Sequence, residues 1–76
     1  MLQDDIKNFQ CAGFTHATVE ICEKPLLSSL RVVERTHINE LTEANITAIT
    51  AEYTDPTYMG SGYDDTGYPV FTFAVK

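Results

Sequence analysis

Two cysteines and two histidines are the residues of this chain best equipped for chemistry: Cys11, His16, Cys22 and His37. Together they have the donor set of a Cys₂His₂ zinc site. Their spacing opposes it, because a zinc finger takes its thiolates from one short Cys-x₂-Cys loop and the two cysteines here lie much farther apart. The same side chains would make a nucleophilic Cys–His pair, but no supporting motif surrounds either cysteine. Small buried thiols beside ordinary histidines are the simpler reading. With no nucleophile or base constellation elsewhere, the chain is expected to be no enzyme and to need no metal or cofactor.

The acids and tyrosines of the second half form the other candidate. Asp64-Asp65-Thr66-Gly67 with Asp55 upstream offers oxygen ligands, yet lacks the alternating order, the central glycine and the final Glu of a calcium loop. Gly60-Ser61-Gly62 lacks the Lys and the following helix of a phosphate loop. What remains is charge. Residues 1–35 carry five acids against four bases, whereas residues 36–76 carry six acids against one base, Lys76. Such a stretch repels nucleic acid, since single-strand binders pair base stacking with a positive groove. It attracts a basic protein surface, because like charges add to a field of several kT.

Tyr53, Tyr58, Tyr63 and Tyr68 recur every five residues, a period that neither helix nor strand buries on one face. Some must be exposed, and exposed tyrosines among Ser and Gly are typical of binding loops. Glu52, Asp55, Tyr58, Tyr63, Asp64, Asp65 and Tyr68 are therefore the expected partner-binding residues. The alternative is that the tyrosines only finish strands and fold the loop onto itself. The expected function is that of a small acidic inhibitor or adaptor, docking on a nucleic-acid-handling protein. Inhibitors of CRISPR or restriction complexes from phages and mobile elements share this size and charge, an analogy that involves no motif. The competing expectation is an assembly protein that self-associates through a strand edge.

Seventy-six residues with 43% hydrophobic content make one small domain rather than a disordered acidic tail. No apolar run approaches the ~18 residues of a membrane span, and Asp4 and Asp5 stand where a secretory leader would be basic, so a cytoplasmic protein is expected.

The elements that must position these residues are read from periodicity. Leu2, Ile6 and Phe9 share one helical face, Asp4 and Asp5 favour the N-terminal turn, and Gly13 can close it, predicting a helix over Leu2–Cys11. Ala17, Val19 and Ile21 alternate with Thr18, Glu20 and Cys22, predicting a strand that Pro25 ends. Residues 26–38 are ambiguous and read best as a strand from Leu30. Residues 45–54 carry two signals: Thr42 with Leu41 and Ile46 suits a capped, stapled helix, but Ile46, Thr47, Ile49, Thr50 and Tyr53 are strand formers and tip the reading to a bulged strand. Residues 70–75 predict a strand covered on both faces, and residues 55–68 a long irregular connection. The sum is an α+β domain, an N-terminal helix on an antiparallel sheet of three to four strands. Its core is expected to hold Ile6, Phe9, Val19, Ile21, Val32, Ile49, Phe71 and Phe73.

The cysteine reading has a direct test. Elemental analysis should find no stoichiometric zinc, and reductant should leave the melting temperature unchanged. One zinc per chain, or a large loss of stability on reduction, contradicts it.

Overall fold

Strands β1 (His16–Glu23) and β5 (Pro69–Val75) run parallel and side by side in the middle of a computed structural model that describes residues 1–76. Their composition explains the position. Glu20 and Glu23 are the only carboxylates across both strands, and most of their residues are buried. Runs this apolar need neighbours on each side. Each central strand then takes a hairpin partner, β2 (Ser28–Val32) on β1 and β4 (Thr57–Tyr63) on β5, giving the order β2-β1-β5-β4. β3 (Thr36–His37) adds a two-residue pairing at the start of β1.

The α+β architecture and the N-terminal helix are as expected, but the sheet is mixed rather than antiparallel. The cause is the second helix, α2 (Glu43–Thr50), in the region read as a bulged strand. Parallel neighbours require a crossover, and α2 lies in it. Capping outweighs β-propensity here. Thr42 accepts a hydrogen bond on its side-chain oxygen from the Asn45 N–H at 3.2 Å, and Leu41 and Ile46, flanking that cap, are both buried. The buried Thr50 hydroxyl donates to the Ile46 carbonyl at 2.9 Å, so a strand former is accommodated inside the helix.

Helix α1 (Leu2–Cys11) ends as its sequence suggests. Gly13 has φ +93°, the Phe14 N–H donates to the Phe9 carbonyl and the Gly13 N–H to that of Gln10, both at 3.0 Å. Phe14 then packs edge-on against Phe9 with centroids 5.7 Å apart, completing a Schellman closure.

Both helices cover the same sheet face. Ile6, Leu41 and Ile46 pack with Ala17, Val19, Phe71 and Phe73 around one core, with Phe9 and Ile49 half-buried at its margin. Val32 is not in that core: it is 59% exposed, because its place opposite Glu20 turns it to the other face. The strand expected from Leu30 is split into β2, β3 and a 3₁₀ turn, Ile38–Glu40. The connection expected to be irregular contains β4, whose glycines hid it because glycine is poor in strands.

Phe71→Ala should cost ~3–5 kcal/mol in urea unfolding, whereas Val32→Thr should stay within about 0.5 kcal/mol. Equal sensitivity at the two positions would contradict this division of the faces.

Candidate functional site

Strand parity gives the sheet a second face that neither helix covers. Thr18 and Glu20 of β1, Val32 of β2, and Val70 and Thr72 of β5 lie on it. Cys22 and Ala74, farther along the same phase, are buried, so the face is open only around Glu20, Val32, Val70 and Thr72. On β4 the positions opposite Thr72 and Val70 are Gly60 and Gly62, so this strand adds no side chain there. The result is an open groove of about 680 Å³, inside the ~300–1,000 Å³ range of ligand clefts. Gly60 has φ +126° at the β4 bulge, a conformation suited to glycine. Gly62 has no such need, and a Cβ placed on it would meet nothing within 4 Å. Its lack of a side chain keeps the groove empty and is not demanded by the backbone.

The rim comes from two loops. Glu34 and Arg35 arrive from the segment between β2 and β3, and Asp64, Asp65 and Thr66 from the β4–β5 turn. With Glu20, four carboxylates face one guanidinium. The turn is built around Asp64. Its Oδ1 accepts from the Thr66 hydroxyl at 2.7 Å, the Thr66 N–H at 2.9 Å and the Tyr68 N–H at 3.0 Å. Gly67, at φ +83°, supplies the left-handed residue that closes a hairpin of this kind. The Thr66 hydroxyl first, then the backbone N–H groups and Arg35, hold the Asp64 carboxyl below its ordinary value of 3.8. Arg35 reaches across the rim, its Nη2 3.0 Å from Thr66 Oγ1 and 3.6 Å from Asp64 Oδ2, its guanidinium 3.9 Å above the Tyr68 ring.

The seven residues expected to bind a partner do not form one surface. Asp55 precedes β4 and Asp64 follows it, so the seven-residue strand puts ~20 Å between them. Asp55 pairs with Lys76 at 2.9 Å and Glu52 with Arg31 at 3.5 Å. Tyr58 faces α1, where its hydroxyl donates to Asp5. Burial, then that carboxylate, push the phenol's pKa well up. Tyr63 is 64% exposed but leans on Phe9 and Phe14, and Tyr68 lies under Arg35. Of the expected acids only Asp64 and Asp65 reach the groove, and Asp65 alone has no basic partner.

Of the expected residues Tyr63, Asp64 and Asp65 line the groove; Glu20, Glu34, Arg35 and Gly62 are among those that sequence reasoning missed. The signal for the floor was Gly60-Ser61-Gly62, a period of two that empties one face of a strand. The cysteines and histidines are dispersed. Cys11 is exposed on α1, and His16 packs edge-on against His37 across β1 and β3 with centroids 5.2 Å apart. Cys22 is buried on β1, where burial and then the Glu20 carboxylate push its thiol pKa up. No family model, curated protein or solved structure matches the chain.

Because the folded-state pKa of Asp64 is depressed, its support of the turn is present above the unfolded value and is lost as pH falls through the folded one. Corrected for intrinsic rates, amide-exchange protection at Thr66 and Tyr68 should hold from neutral pH to about 4 and fall below it. In Asp64→Asn the profile should be flat. An identical acid loss in that variant would assign the effect to another group.

Proposed function

We propose that this protein is a small acidic binding module that docks its open sheet face on a cationic segment of a partner protein, as an inhibitor or adaptor. The observation that carries the reading is the groove itself, a floor left bare at Gly62 between carboxylates from two separate loops. Thr18, Thr72, Val70 and Val32 offer a surface that aliphatic side chains can cover, while Glu20, Glu34 and Asp65 carry no opposing base. The carboxylates would speed encounter and exclude acidic competitors, and the floor would provide the contact area. Partners with exposed basic segments include proteins that handle nucleic acid, and a module of this charge occupies the surface that a phosphate backbone would use.

Self-association through a strand edge is the weaker reading. Leu30 on β2 and Met59 on β4 fall at register shifts, so both sheet edges are bulged. Bulged edges twist away from a straight incoming strand.

The test uses an oligolysine peptide titrated into ¹⁵N-labelled protein. Amide shifts should gather at Thr18, Glu20, Val70, Thr72 and residues 64–66, and fade as salt rises. Gly62→Val, which fills the groove without backbone strain, should keep the fold and lose those shifts. Shifts centred instead on Asp4, Glu40 or Glu43, or unchanged in Gly62→Val, would remove the open face as the docking surface.

A further inference from the structure

We propose that the groove selects arginine over lysine in its partner, and that Arg35 holds the arginine position on the rim until a partner's side chain replaces it. The proposal rests on the docking reading above and names the partner's chemistry: a peptide segment with an arginine flanked by aliphatic residues.

Three features of the rim lead to it. First, the environment around the Arg35 guanidinium is one a planar cation uses fully and a point charge does not. It offers a carboxylate oxygen in Asp64 Oδ2, a hydroxyl acceptor in Thr66 Oγ1 and the Tyr68 ring, at the distances given above. An ammonium cannot lie flat on a ring while donating in its plane, so lysine would forfeit part of this set.

Second, the position does not depend on Arg35 for its shape. Asp64 divides its work: Oδ1 takes three hydrogen bonds from the turn itself, which leaves Oδ2 for the guanidinium. The Thr66 hydroxyl donates its proton to Asp64 and so presents a lone pair outward. The site is preformed, and a second guanidinium would find it ready.

Third, Arg35 is loosely committed. It lies between β2 and β3, outside both ladders, and its side chain is 41% exposed. Glu34 beside it, with Glu20 and Asp65, line the same groove without basic partners. An incoming arginine is thus drawn to a rim where the resident one can swing out to solvent. The aliphatic neighbours follow from the floor, where Val32 and Val70 lie between the two loops.

The experiment compares a labelled peptide alternating arginine and valine with its lysine counterpart, by fluorescence anisotropy at fixed ionic strength. Wild-type protein should bind the arginine peptide about fivefold more tightly, the size of an exposed guanidinium–ring contact. Arg35→Gln and Arg35→Lys should both tighten the arginine peptide severalfold, because glutamine vacates the position and lysine yields it more readily. Arg35→Lys separates exchange from simple charge, since it keeps the rim's net charge. It also carries the test where Arg35→Gln loosens the turn. Equal binding of the two peptides, or Arg35→Lys indistinguishable from wild type, overturns the proposal while leaving the docking face intact. If neither peptide binds, and sedimentation shows a dimer in which Gly62→Val removes association, a second copy fills the groove and both readings fall.

Discussion

The parallel pairing of β1 with β5 is the contact on which everything else in this protein depends. It joins two hairpins that would otherwise be separate, β1 with β2 and β5 with β4. An isolated hairpin is at best marginal in water, so neither half has an evident stable existence alone. The pairing also fixes parity. Val19 lies beside Phe71 and Ile21 beside Phe73, which points one phase of both strands to the helices and the other phase away. The helices follow that decision, both packing on the apolar phase, and the crossover that makes the pairing possible holds α2.

One-sided covering has a consequence for the other face. The second phase of the central strands is mixed: Thr18 and Glu20 on β1 and Val70 and Thr72 on β5, followed by the buried Cys22 and Ala74. A sheet that turns one face to solvent normally shows polar side chains there. Beside Thr72 and Val70 the edge strand β4 shows none, because Gly60 and Gly62 fall there, and this part of the face becomes concave instead of merely wet. Meanwhile several carboxylates that give the second half of the chain its charge are neutralised locally, Glu52 by Arg31 and Asp55 by Lys76. The net charge of −6 is therefore a poor map of where negative field is available. Glu20 and Glu34, from the nearly balanced first half, contribute more to the groove than Glu52 or Asp55.

That contrast marks what the sequence could and could not reveal. Helix α1, strands β1 and β5 and most of the core were legible because each has one uncompromised period, and Gly13 closes the first helix as its position implies. Residues 43–50 were not, because β-branched side chains and a capped, stapled start point in opposite directions; the Thr42 cap, with Leu41 and Ile46 buried beside it, outweighs the propensity. Losing α2 also lost the parallel pairing, since without a crossover only antiparallel neighbours are available. β4 was hidden by its glycines. The binding residues were only partly legible, as ion pairing joins residues 21 and 29 positions apart, Arg31 to Glu52 and Arg35 to Asp64, and no local pattern records it.

The central claim is that the sheet leaves part of one face open, around Val32, Val70 and Thr72. A neutral, soluble paramagnetic agent tests it directly, by comparing methyl relaxation on the two phases of the same strands. The methyls of Val32, Val70 and Thr72 should relax strongly as the agent is added, while those of Val19, Ile21 and Val75 should barely respond. Protection of Val32, Val70 and Thr72 to the level of Val19 would mean that something covers the open face, and the groove would not be available to a partner.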